Sequence, residues 1–200
     1  RVERALVKES SHFLAADAQV RSSREMPTEW QAEAQRRGLE TATVALFASM
    51  VYSGDYNHLA SVKVVEPNYP LRGLLTLSDT PFATDIADMQ QLDHGPAPGE
   101  VWVDSRLLPL LNMSLGDSLE VGEVRLRASR VIVEEPDRGG SFSLFGARVL
   151  MNWNDLAASG VIQPGSRVNY RLLLAGEDAL LKDYLGWLEP RLAVHDRLLS

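Results

Sequence analysis

Residues 99–136, GEVWVDSRLLPLLNMSLGDSLEVGEVRLRASRVIVEEP, hold the densest run of local structural instructions in the chain. A short apolar strand over 100–103 leads into a capping aspartate, Asp104, and then into the apolar turn Leu107, Leu108, Leu110 and Leu111. The Leu115-Gly116-Asp117 turn ends that helix. Two strand-like runs, 118–121 and 124–128, flank Gly122-Glu123, a two-residue connection whose leading glycine suits a type II′ hairpin. Val124, Leu126 and Ala128 alternate with Arg125 and Arg127, so one face of the ribbon is expected in the core and the other in water. Val131, Ile132 and Val133 read as covered on both faces. The stretch predicts a small twisted sheet curled around the 107–111 helix, and none of its residue types suggests chemistry.

Outward from this scaffold, the chain reads as β-α-β units on either side. Residues 14–24 are expected to be a strand, and Met26-Pro27-Thr28 to open a helix that ends at Gly38. A long strand over 39–53 turns at Gly54-Asp55 and returns over 58–66, with Ala42, Val44, Leu46, Ala48 and Met50 on its apolar face. Residues 71–77 are extended and 81–92 helical, with Phe82, Ile86 and Met89 on one side. Late in the chain, 167–175 is a strong strand and 177–189 the best helix, with Leu180, Leu181, Tyr184, Leu185 and Leu188 at a 3.6-residue period. A final strand is expected at 192–194. Residues 1–13 form an amphipathic helix that fits either a frayed terminus or the end of a longer helix. The missing initial methionine reads as a piece of a longer chain. The expected fold class is α+β in two lobes: a mixed α/β lobe from residues 1–80 and 166–200, and an inserted β-rich lobe from residues 81–165.

With 200 residues, 45 % of them hydrophobic and 24 % charged, the composition is that of an ordinary globular chain with a sizeable core. A net charge of −7 with scattered lysines and arginines excludes a nucleic-acid partner. The absence of cysteine excludes disulfides, thiolate nucleophiles and cysteine-based zinc sites. No run approaches the roughly 18 apolar residues of a membrane span.

Candidate chemistry is sparse. His12, His58, His94 and His195 have no second ligand at helical or strand spacing, so no metal site is expected. Glu134, Glu135 and Asp137 form the one tight acidic cluster. Paired carboxylates can act as acid and base, but these stand at a strand end beside a glycine-rich loop and read as solvated. The serines lack a GxSxG elbow, and no phosphate-cradling GxxxxGK[ST] occurs. Trp30, Trp102, Trp153 and Trp187 read as core anchors. No catalytic set, cofactor or metal is expected, and the chain reads as a non-enzyme. In the loop after Pro136, three large apolar residues stand among glycines and serines. Phe142, Leu144 and Phe145, with Arg138, are the candidates for a face turned toward a cargo or partner, the alternative being that they fold back on the β-rich lobe.

The stretches 13–27, FLAADAQVRSSREMP; 64–77, VVEPNYPLRGLLTL; 98–122, PGEVWVDSRLLPLLNMSLGDSLEVG; 130–140, RVIVEEPDRGG; and 147–176, ARVLMNWNDLAASGVIQPGSRVNYRLLLAG, together resemble the first periplasmic domain of YbbP-type permeases. These are FtsX-like permeases of bacterial ABC transporters, related to MacB and LolC/LolE. The most specific pieces are Tyr69-Pro70-Leu71-Arg72-Gly73 and the Leu115-Gly116-Asp117 turn.

The resemblance implies a Porter-like lobe and a Sabre-like lobe between two transmembrane helices, on the periplasmic side of the inner membrane. It implies a cytoplasmic ATPase on a separate subunit, lipid or other hydrophobic cargo, and a possible periplasmic esterase or thioesterase partner. Its expected action is mechanical: ATP-driven helix motion is passed to the periplasm to move or release cargo, without catalysis in this domain. The alternative is a docking module that recruits the partner enzyme or binds cargo directly.

Overall fold

The computed structural model describes residues 14–137 and 146–200. Its strands are β1 (Ala18–Ser22), β2 (Glu40–Ser53), β3 (Tyr56–Val65), β4 (Leu75–Ser78), β5 (Met89–Leu92), β6 (Glu100–Asp104), β7 (Ser118–Val121), β8 (Val124–Glu134), β9 (Ala147–Asn152), β10 (Asn169–Ala175) and β11 (Asp196–Leu199). The helices are α1 (Thr28–Arg36), the single turns α2 (Leu107–Leu110) and α3 (Leu156–Ser159), and α4 (Asp178–Leu188). This is the expected α+β class. The strands hydrogen-bond in the order β11-β1-β10-β2-β3-β9-β6-β8-β4-β5, with β7 bridging β2 and β8. That bridge curls the sheet: β7 pairs with β8 along its length and also meets β2 at Val51 and Tyr52. Among the described strand pairs only β3–β9 and β6–β8 are parallel.

Among the described residues the buried apolar side chains gather in three clusters. The first fills the curled part of the sheet, where Leu107, Leu108 and Leu111 of the α2 region meet Val62, Val64, Leu119, Leu126 and Val149. Here the short helix is the plug that 99–136 predicted. Asp104 serves its entrance by accepting the Arg106 backbone N–H at 2.9 Å. The Gly122-Glu123 turn joins the paired residues Val121 and Val124, with positive φ confined to its glycine (+56°) as a II′ turn requires.

The third cluster lies where α1 and α4 cover β1, β10 and β11, with Trp30, Ala34, Tyr184 and Leu188 against Val20, Leu172 and Leu174. The two helices also touch through polar ends. Tyr184 Oη donates to the Trp30 carbonyl at 2.8 Å, and Arg37 Nη1 to Asp183 at 2.7 Å. The second cluster packs on the opposite face, where Leu14, Ala42, Val44, Leu150 and Leu173 meet Tyr69 and Trp102.

Several expectations change. The even-numbered face of β2 is core only as far as Leu46. From Ala45 onward the odd-numbered residues Ala45, Phe47 and Val51 are buried while Met50 is exposed, because the strand serves one cluster with each face in turn. Residues 81–92 are not a helix. Asp85 caps one 3-10 turn, Ile86–Asp88, after which β5 pairs with β4; Ile86 is 83 % exposed, so a helix here would have had no face to bury. The last strand is Asp196–Leu199 rather than 192–194, and Val194 is 98 % exposed. Val133 is exposed, while Trp153 and Trp187 are only half-buried.

Candidate functional site

The acidic stretch that read as solvated is where the structure departs furthest from expectation. Glu134 does stand in water, but Glu135 and Asp137 do not: their side chains are 0 % and 2 % exposed. A carboxylate buried without a partner would be costly enough to neutralise, so the burial demands cations. Two basic residues supply them from the parallel β3–β9 pair. Lys63 of β3 interrupts the run Val62-Val64-Val65, and Arg148 enters with β9; their side chains are 1 % and 2 % exposed.

Lys63 Nζ donates to both oxygens of Asp137 at 2.7 Å, to Tyr69 Oη at 2.7 Å and to Glu135 Oε1 at 3.3 Å. Arg148 Nε donates to Glu135 Oε2 at 3.1 Å, and its Nη1 to Ser61 Oγ at 2.9 Å. Tyr69 Oη completes the ring by donating to Asp137 Oδ1 at 2.5 Å.

Among the described residues two positive and two negative side chains thus meet inside a low-dielectric interior, and the pKa values of Lys63, Tyr69 and Asp137 reflect the contest. Burial pulls Lys63 down, against the pull of Asp137 and Glu135. Burial pushes Tyr69 well above its ordinary value, and the two carboxylates add to the rise. For Asp137 burial acts upward, but Lys63's charge and hydrogen bond, with the Tyr69 hydroxyl, outweigh it and hold the carboxyl below its ordinary value. Arg171 on β10 is pulled down to about 10 by burial, with Arg21 adding to the fall.

Neither described cavity is lined by these residues. The arrangement is a clamp: it joins β3, the turn after it, the end of β8 and β9.

A second tie runs beside it. Arg72 donates Nε and Nη2 to the two oxygens of Asp17 at 3.0 and 2.8 Å, while Asp17 Oδ2 also accepts the Gly176 N–H at 2.9 Å. Leu71 and Arg72 donate their backbone N–H groups to the Ala15 carbonyl at 3.0 and 2.9 Å. The Tyr69-Pro70-Leu71-Arg72-Gly73 motif therefore has a physical content. Tyr69 enters the clamp, the Tyr69–Pro70 bond is cis, Arg72 forks onto Asp17, and Gly73 turns at φ +78°.

The residues expected to face cargo, Arg138, Phe142, Leu144 and Phe145, lie outside the described residues, as does His12. The clamp flanks their segment on both sides, through Asp137 before it and Arg148 after it. The remaining histidines are apart from one another in local contacts: His58 Nδ1 lies 2.8 Å from the Leu59 carbonyl, His94 Nδ1 lies 2.9 Å from that of Gly95, and His195 Nε2 lies 3.5 Å from Asp196. Lys63 and Arg148 escaped the sequence reading, and Tyr69 entered it only through the Tyr69–Gly73 motif. The signal that could have found them is a charge inside an otherwise apolar strand, as in Ser61-Val62-Lys63-Val64-Val65 and Ala147-Arg148-Val149-Leu150.

No family model matches the chain. It is 37 % identical over 199 residues, 98 % of its length, to an uncharacterized ABC transporter permease, YbbP, of Escherichia coli (strain K12), and spans 23 % of that relative's length. Among solved structures, the periplasmic region of MacB from Actinobacillus actinomycetemcomitans superposes with a TM-score of 0.59 over 94 % of this chain and 91 % of that one, at 9 % identity. The extracellular domain of the noncanonic ABC-type transporter YknZ from Gram-positive bacteria does so with a TM-score of 0.54, over 92 % and 100 %, again at 9 % identity. The chain thus has the fold of the MacB-type periplasmic domain and matches, along nearly its whole length, a segment of a YbbP-type ABC transporter permease.

Proposed function

We propose that the chain is the periplasmic domain of an ABC transporter permease and works as a lever. Flanking membrane helices, moved by a cytoplasmic ATPase subunit, swing it as a body, and it moves or releases hydrophobic cargo such as lipid without catalysing a reaction. The similarity to the YbbP permease along 98 % of the chain carries this reading.

Physical features support it. A lever must be stiff, and one sheet with every strand hydrogen-bonded to a neighbour, cross-tied by a buried charge clamp, resists bending between its parts. A lever must also be driven at one end. β1 and β11 are paired neighbours with Gln19 opposite Leu199, so the strands nearest the two flanks of the chain lie side by side. In this reading β1, β10, β11, α1 and α4 make the Porter-like lobe, the curled part around α2 makes the Sabre-like lobe, and Arg138, Phe142, Leu144 and Phe145 face the cargo.

The test uses the full-length permease with its ATPase in lipid nanodiscs. Spin labels on the exposed residues Ile86 and Val194 report the shape of the domain, and a third label in a flanking membrane helix reports its pose. On ATP trapping, the Ile86–Val194 distance should stay constant while the distances to the membrane helix change. A deforming domain, or one that stays still, overturns the lever.

A further inference from the structure

Three arginines stand in line on neighbouring strands. Arg21 of β1 is paired directly with Arg171 of β10 on one side and with Arg197 of β11 on the other. Residues directly opposite in antiparallel strands share a face with their Cβ atoms about 5 Å apart, so the three side chains form one row about 10 Å long. The row is on the sheet face away from α1 and α4. Val20, Leu172 and Leu174, at the alternate positions, are the residues those helices cover, whereas Leu173 and Leu199 belong to the second cluster. Arg197 is exposed, and Arg21 and Arg171 are half-buried.

Like charges directly opposite one another oppose folding, and three in one row stand out in a chain whose net charge is −7. Arg171 feels the repulsion: after burial, Arg21 does most to pull it down, and it outweighs the opposing pull of Asp137, whose carboxylate already serves Lys63 and Tyr69.

Neutral acceptors hold two of the side chains. Arg171 Nε donates to Asn169 Oδ1 at 3.0 Å. Arg21 Nε donates to Oε1 of Gln19, a fully buried amide whose Nε2 donates in turn to the Leu14 carbonyl at 3.3 Å. A bond through Nε to an amide orients a guanidinium without cancelling its charge. Among the described residues neither Arg171 nor Arg197 forms an ion pair, and Asp196, beside Arg197 in sequence, is buried and accepts the Ala193 N–H at 2.7 Å.

The row therefore calls for an anion from outside the chain. Guanidinium groups match phosphate oxygens, and neighbours about 5 Å apart suit an acceptor with oxygens on several sides. A row about 10 Å long exceeds one phosphate group, so it suits a surface on which phosphates recur. Arg21 and Arg197 stand two residues, about 7 Å, along the strands from the Gln19–Leu199 pair at the end of the sheet nearest the flanks of the chain.

We propose that Arg21, Arg171 and Arg197 form a contact for the phosphate headgroups of an anionic lipid bilayer, which turns the β11 edge of the sheet toward the membrane surface. The proposal rests on the lever reading for the presence of a membrane at that edge, but its test does not use the motion by which the lever is judged.

The test measures partition of the 200-residue chain onto sedimented vesicles of phosphatidylglycerol and phosphatidylcholine in equal parts, against phosphatidylcholine alone. The chain should partition onto the mixed vesicles only, and added salt should release it. Arg171→Gln combined with Arg197→Gln should lower the partition about 20-fold, from roughly 5-fold per arginine at an anionic surface. Arg125→Gln combined with Lys182→Gln removes the same charge at exposed positions away from the row, and should lower it by less than about 3-fold. Arg197→Gln alone, at an exposed position, should give about 5-fold and serves if the double variant loses its circular dichroism. No partition onto the mixed vesicles, or equal losses in the row and control variants, would overturn the proposal. So would inorganic phosphate that shifts the Arg171 Nε–H signal when no vesicle binds, which would assign the row to a free ion. Partition that survives while the domain deforms or stays still on ATP trapping would overturn the lever and leave the membrane contact standing.

Discussion

Tyr69 Oη donates to Asp137 Oδ1 at 2.5 Å across 68 positions of sequence, and Lys63 Nζ reaches both partners at 2.7 Å. The turn after β3 and the end of β8 are thus held by one shared carboxylate. A charge removed from water has value only while its partners stay in place, so the clamp fixes geometry more than it adds stability.

Tyr69→Phe keeps the ring and removes one donor to Asp137. The cost should be about 1–3 kcal/mol, the worth of a hydrogen bond to a charged group. Lys63→Met keeps the volume but strands Asp137, and should cost about 3–5 kcal/mol, as breaking a buried pair from one side does. Urea unfolding of the two variants measures both, and a Lys63→Met loss no larger than that of Tyr69→Phe would show that the carboxylates are rescued by Arg148 and water.

Acid should attack the same clamp. Folding holds the Asp137 carboxyl below its ordinary value near 3.8, so the unfolded chain binds its proton at a higher pH than the folded one. Its contribution is complete above that ordinary value and is lost as the pH falls through the lower, folded value. Urea midpoints between neutral pH and about pH 3 should fall more steeply for the wild type than for Asp137→Asn, which has no proton to gain there. Parallel slopes would mean that Asp137 is not ionised in the fold.

Alkali should act on the helical layer. Burial raises Tyr184, first of all by desolvation and then through Glu33, so its contribution is full below the ordinary value of 10 and drains away above it. Tyr184→Phe removes this sensitivity along with the bond to the Trp30 carbonyl. Its midpoint should be lower at neutral pH by about 1 kcal/mol and should fall less on going to about pH 11.

What the residues announced in advance follows from where the forces are local. The 99–136 hairpin and plug were legible because a glycine turn, a capping aspartate and a period-2 pattern act within a few residues of one another. The α4 helix was legible for the same reason, since Leu181, Tyr184 and Leu188 mark its buried face unaided. The clamp was not. Glu135 and Asp137 read as solvated because their cations arrive from β3 and β9, and only tertiary pairing brings Lys63 and Arg148 to them. Likewise the two faces of β2 switch roles at Leu46 because the curl of the sheet, set by β7, places a second core behind it. The bulge at Ser129 is one residue of register slip between the parallel strands β6 and β8, which no local pattern records.

The glycines give a last and sharp contrast. Gly122 turns at φ +56°, and a Cβ there would collide with the Ser159 carbonyl oxygen and stand 2.6 Å from Val161 Cγ1. That carbonyl cannot easily retreat, because it accepts the Glu123 N–H at 2.9 Å. Gly122→Ala should therefore combine left-handed strain with overpacking and cost about 2–5 kcal/mol. Gly186 lies inside α4 with open space around it, so Gly186→Ala should gain about 0.5–1 kcal/mol of helix propensity. Thermal or urea unfolding of the two variants should move in opposite directions. A mild effect at Gly122 would mean that the hairpin between β7 and β8 is not held against the α3 turn, and that the curl which closes the first core is looser than its contacts imply.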